Sequence, residues 1–191
     1  MTSKDIETPD DDVGASGRLA EVLRGCCAGD RDAQRQLYEL YHAQVYRLAT
    51  RMVGREEGQD LVQQVFLQLF RKIGQFAGHA KFDTWLYRLA TNEALQYLRK
   101  RKRWTFETLA VEPASSRASK TDRNEHSELL EAALGRLEPE LRAVFILKEL
   151  ERLSYRDIAS SVGIPEGTVG SRLNRARREL QKHLADLGWE A

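Results

Sequence analysis

Five side chains, Arg88, Asn92, Gln96, Arg99 and Arg103, recur three or four residues apart. On a helix that spacing lines them along one face, and each can hydrogen-bond a phosphate oxygen or a base edge. The same stretch carries six basic residues, Lys100 and Arg101 among them, against one acid, Glu93. A solvated helix surface is the competing explanation for any single basic run. A second basic segment near the C-terminus, with Thr168, Gly170, Ser171, Arg172, Asn174, Arg175 and Arg178, shifts the balance toward nucleic-acid binding.

Catalytic chemistry has no comparable support. The four histidines are scattered, and no nucleophile–base pair or phosphate-cradling glycine loop is present. Cys26 and Cys27 are adjacent, which suits neither an unstrained disulfide nor two corners of a tetrahedral metal site. They read as ordinary helix thiols. The sequence therefore predicts no enzyme, no metal and no cofactor.

The elements that position these side chains are helical throughout. Phe82, Trp85, Leu86, Leu89, Ala90, Ala94, Tyr97 and Leu98 repeat with the period of a helix burying one face, opposite the polar row. Asp83 or Thr84 can cap it. The loop before it, GQFAGHAK, holds Phe76, His79 and Lys81. Phe76 is either a core plug or a ring on which an unstacked base could rest, and His79 is a loop histidine. Upstream, Leu19, Val22, Leu23 and Cys26 form an apolar face that ends at Gly29, and Asp30 is a good cap for the next helix. That helix turns Leu37, Leu40, Tyr41, Val45, Tyr46, Leu48, Ala49 and Met52 inward. A further helix, starting near Glu57, buries Leu61, Val62, Val65, Phe66, Leu69, Phe70 and Ile73. It faces solvent with Asp60, Gln63, Gln64 and Gln68, and with Leu67 among them, which hints at a partner surface.

Order fades from Trp104 and resumes near Leu129. The second half then reads as a helix-turn-helix. Ser154 and Asp157 form a capping-box-like start, Ala159 is small where two helices approach, and Gly163 supplies the left-handed turn. Ile158, Val162, Ile164, Val169 and Leu173 make the small core between its helices. Residues 1–18 are acidic and poor in large apolar side chains, so they read as a disordered tail. The predicted organisation is an all-α chain of two small helical bundles, 19–103 and 127–187, joined by a flexible linker at 104–126.

Composition agrees with a soluble globular protein, 41% hydrophobic and 31% charged over 191 residues. No apolar run is long enough to insert in a membrane, and no leader is evident, so a cytoplasmic location is expected. The net charge of +1 is low for a nucleic-acid binder because acidic stretches offset the basic clusters.

Two DNA-facing helices separated by a linker give the chain its resemblance to a family. DLVQQVFLQLFRKI from Asp60, FAGHAKFDTWLYRLATNEALQYLRKRKR from Phe76 and LEPELRAVFILKELERLSYRDIASSVGIPEGTVGSRLNRARREL from Leu137 resemble regions two and four of bacterial RNA polymerase sigma factors of the extracytoplasmic-function (ECF) group. The resemblance implies a promoter-specificity subunit that helps to melt the start site, with core RNA polymerase and promoter DNA as partners. An anti-sigma factor joins them, since members of this group are commonly held inactive by one. It implies that Asp60, Gln63, Gln64 and Gln68 dock on the polymerase clamp. The minus-ten element falls to Phe76, Lys81, Arg88, Asn92, Gln96, Arg99, Lys100, Arg101 and Arg103. Extruding a base there costs a few kcal/mol of stacking, so a pocket flanked by phosphate contacts suits that step. The minus-thirty-five element falls to Thr168, Gly170, Ser171, Arg172, Asn174, Arg175 and Arg178. Gly170 stands where the family often has arginine and Gln64 where it often has an acid, which implies an altered upstream preference and a different clamp contact. The alternative is a helix-turn-helix regulator that binds a palindromic operator as a dimer without polymerase.

Overall fold

The computed structural model describes residues 11–78, 80–107 and 125–189. Among the described residues there are helices and no strands. The first bundle is α1 (Asp11–Cys27), α2 (Arg31–Val53), α3 (Arg55–Lys72) and α4 (Phe82–Glu107). The second is α5 (Glu125–Arg136), α6 (Pro139–Phe145), α7 (Tyr155–Val162) and α8 (Glu166–Asp186). A single 3₁₀ turn, Ile73–Gln75, follows α3, and a π turn, Ile146–Leu150, continues α6.

Local chemistry sets most of these boundaries. Asp30 caps α2 by accepting the Asp32 amide at 2.9 Å, filling one of the donor positions a helix start leaves open. Ser154 caps α7, accepting the Asp157 amide at 3.2 Å while its hydroxyl donates to Asp157 Oδ2 at 2.6 Å. Gly163 sits at φ 75° in the left-handed region and ends α7, as a residue without Cβ does cheaply. Gly58 has another duty. A Cβ there would lie 2.7 Å from Thr50 Cγ2, so its absence lets α3 cross close to α2.

Three expectations change. Helix α1 begins at Asp11, so residues 11–18 of the predicted tail are helical; once a helix is nucleated by packed residues such as Leu19 and Val22, adding turns is cheap. Residues 1–10 lie outside the described residues, as do His79 and the linker from 108 to 124. At the linker's ends, α4 runs on to Glu107 and α5 starts at Glu125. Leu40, expected inward, is 62% exposed, because Leu37 and Tyr41 on either side of it already fill the buried face of α2.

The larger difference is that the bundles pack on each other. One continuous apolar core runs from Leu37, Leu61 and Leu86 of the first to Val144, Leu147, Ile158 and Leu173 of the second. A smaller cluster of Ala133, Leu134, Leu137 and Leu180 joins α5 to α8. Helix α4 lies between α2 and α3 on one side and α7 on the other. That explains why Thr91 and Leu95, outside its predicted apolar stripe, are 0% and 3% exposed.

Candidate nucleic-acid interface

Helix α4 carries the polar row where its spacing places it. Arg88, Asn92, Gln96, Arg99, Lys100, Arg101 and Arg103 are all exposed, opposite Leu86, Ala90 and Ala94. Arg101 donates to Glu57 of α3 at 2.6 Å, which pins the basic end of α4 against its neighbour. Arg99 lies 3.5 Å from Glu140 of α6. Both pairs are largely solvent-accessible and weak in stability terms.

Phe76 packs on the start of α4. Its half-buried ring meets Phe82 edge-on at 5.4 Å and Trp85 at 5.7 Å. Phe82 in turn meets Tyr41 at 5.0 Å. Phe76 is therefore a plug that anchors the loop to the start of α4, and Lys81 stands exposed beside it. Asp83 and Thr84 lie inside the first turn, since α4 begins at Phe82.

In the second bundle, Ile158, Val169 and Leu173 are fully buried and fix the crossing of α7 and α8. Ser171, Asn174, Arg175 and Arg178 are exposed along α8, with Thr168, Gly170 and Arg172 at the margin. This face is already lined by carboxylates. Arg172 donates to Glu140 at 2.6 Å, Arg175 to Glu179 at 2.7 Å, and Arg177 to Glu149 at 3.1 Å. Glu138 stands 3.7 Å from Arg175. Ser171 Oγ donates to the Thr168 carbonyl at 2.9 Å. Helix α3 presents Asp60, Gln63 and Gln64 exposed and Gln68 half-exposed, around Leu67 at 58% exposure.

The profile of sigma-70 region 2 matches residues 37–104, and that of sigma-70 region 4 matches residues 127–180. The chain is 31% identical to the ECF RNA polymerase sigma factor SigW of Bacillus subtilis, over 89% of this chain and 96% of that protein. The chain belongs to the ECF sigma factors. It is 37% identical to SigE of Mycolicibacterium smegmatis over 82% of its own length, spanning 65% of that longer relative. Among solved structures it resembles the sigma factor RpoE of Bartonella quintana in complex with the anti-sigma factor NepR, with a TM-score of 0.63 and 26% identity. That match covers 79% of this chain and 96% of the other.

The protein is thus a promoter-recognising sigma subunit, and a dimeric operator binder is not favoured. The matched regions divide its rows between them: α3 and α4 lie in region 2, and α8 in region 4. Within this sigma factor the structure also assigns contacts that periodicity alone leaves unseen. Tyr87 donates its hydroxyl to Glu151, and Arg51 lies 3.3 Å from the other oxygen of that carboxylate. Arg142, 7% exposed, donates to the carbonyls of Met52, Gly135 and Leu137. These sit at or near the C-terminal ends of α2 and α5, where a cation is favoured. Burial, and then the nearby charge of Arg101, pulls the Arg142 guanidinium down to about 10, leaving it charged at neutral pH. The only sequence signal for Arg142 was a charge among Leu141, Ala143 and Val144.

Proposed function

We propose that this chain recruits core RNA polymerase to promoters by dividing three tasks among three helix faces. Asp60, Gln63, Gln64 and Gln68, with Leu67 between them, dock on the polymerase. The α4 row reads and grips the minus-ten element: Asn92 and Gln96 face bases, while Lys81, Arg88, Arg99, Lys100, Arg101 and Arg103 meet the backbone. Phe76 shapes the loop that receives a flipped base. Helix α8 reads the minus-thirty-five element through Ser171, Asn174 and Arg175, with Thr168 at the groove edge and Arg172 and Arg178 on phosphates. Gly170 opens space where a side chain would otherwise probe the base.

The observation that carries this reading is the outward row Arg88–Asn92–Gln96–Arg99 on a helix whose other sides are buried. That face stays exposed, its Arg99–Glu140 pair is largely solvent-accessible and weak, and its mixture of amide and guanidinium groups suits bases and phosphates together. The subunit has no chemistry of its own, needs no metal or cofactor, and works in the cytoplasm. The complex in which the Bartonella relative was solved supports an anti-sigma protein as its regulator.

Run-off transcription with purified core polymerase over a randomised promoter library tests the whole reading. Transcripts should require both proteins and select two dissimilar sequence elements. Protection of a palindrome by the chain alone would overturn it.

A further inference from the structure

Helix α8 holds one of its exposed amides in a fixed pose. Asn174 accepts at Oδ1 from Nη1 of Arg177, three residues further on, at 3.5 Å. The same guanidinium is tied on its other side: Nε and Nη2 both donate to one oxygen of Glu149, at 3.1 and 2.5 Å. One arginine therefore joins a carboxylate of the π turn Ile146–Leu150 to the side chain placed on an upstream base. Both ends stand on packed backbone. Ile146 and Leu147 in the π turn, and Leu173 and Ala176 on α8, are fully buried.

The ion pair is weak in stability terms, since Arg177 is 51% and Glu149 34% exposed. Its consequence is orientation. A guanidinium only donates, so the end of Asn174 that meets it has to be the carbonyl oxygen and not the NH2 group. The two ends of an amide diverge from one carbon, and an oxygen turned along the helix toward Arg177 leaves the NH2 for the groove. An unrestrained asparagine grips adenine with both ends, donating to N7 and accepting from N6. With its oxygen engaged, Asn174 offers donors alone. Guanine, whose N7 and O6 both accept, then suits it better than adenine, whose N6 donor would meet another donor.

We propose that Glu149 and Arg177 are positioning residues that lock the Asn174 amide as a donor, so that this chain selects guanine over adenine at the base Asn174 reads. The inference rests on the assignment of Asn174 to the minus-thirty-five element above, and adds to it the identity of the base and two residues that act through another side chain.

The test uses holoenzyme, the full chain with core polymerase, on promoters randomised over the upstream element. Asn174→Ala first locates the position, as the one where selectivity collapses. There the wild-type chain should prefer guanine to adenine about tenfold, within the range of a good base contact. Arg177→Met keeps the stem and removes every donor; it should move the preference to adenine on the same strand, with flanking positions unmoved. Arg177→Lys keeps the charge without the fork and should shift it likewise, and Glu149→Ala in the same direction by less. Combined with Asn174→Ala, Arg177→Met should change nothing further at that position. A shift that persists without Asn174 means that Arg177 meets the base itself. An equal loss on every sequence with a shallower salt slope means that it meets a phosphate. Either result sinks the lock, as does a wild-type preference for adenine, or an Arg177→Lys chain that selects like wild type. Unchanged selection in Glu149→Ala overturns the part given to Glu149.

A second measurement needs no DNA. In nuclear magnetic resonance spectra of the free chain, Glu149→Ala should move the side-chain amide signals of Asn174, and in an Arg177→Met background it should leave them in place. Signals that ignore Glu149 in both backgrounds reject the connection through Arg177. If Asn174→Ala leaves every promoter position unmoved, the choice of base is rejected together with the reading it rests on, while these signals still decide whether Glu149 and Arg177 hold the amide.

Discussion

Tyr87 and Glu151, 64 residues apart, meet through a hydroxyl-to-carboxylate hydrogen bond that ties region 2 to region 4. Burial first, and then this bond, raise the Tyr87 phenol above its usual 10. A raised acid stabilises the packed form fully below that ordinary value and loses its contribution as pH climbs through the folded one. Contact between the bundles should therefore weaken in strong alkali. Tyrosinate absorbance of the wild-type chain should show late-titrating phenols, Tyr41 being raised as well by burial and by Asp83. Tyr87→Phe should remove one of them; an unchanged late limb would show that Tyr87 titrates normally.

Lys100→Ala should weaken promoter binding by a similar factor on every sequence and reduce the salt slope by about one, as expected for a phosphate contact. Arg101→Ala should change the slope less, since Glu57 at 2.6 Å already offsets part of its charge. Binding titrations of holoenzyme at several salt concentrations measure both.

Asn174→Ala should instead change which upstream base is preferred, by about 1–3 kcal/mol at one position. Gly170→Arg should alter the preference nearby, and the fold tolerates a side chain there, because a Cβ would rest 3.6 Å from the Tyr155 ring, an ordinary contact. Library selection compares the variants. If Asn174→Ala and Lys100→Ala acted alike, the division between base and phosphate contacts would be wrong.

Gly58→Ala should lower stability by about 1–3 kcal/mol, the usual cost of overpacking, because Thr50 stands too close to yield easily. Gly170→Ala, inside α8 where a Cβ meets only an ordinary contact with the Tyr155 ring, should raise stability by up to about 1 kcal/mol. Thermal unfolding followed by circular dichroism reports both signs.

The sequence by itself determined the helices, their caps at Asp30 and Ser154, the left-handed Gly163 and the solvent-facing rows on α3, α4 and α8. Each of these follows from residues within a turn or two of one another, where spacing and side-chain type are sufficient. Only the tertiary structure decided that Phe76 packs on Phe82 and Trp85, that Leu40 is exposed, and that Thr91 and Leu95 are buried. It alone brought Arg142 to Met52 and Glu151 to Tyr87 and Arg51. Such pairings depend on how two distant surfaces fit in shape and charge, and a helical period records that a face is apolar without recording what will cover it.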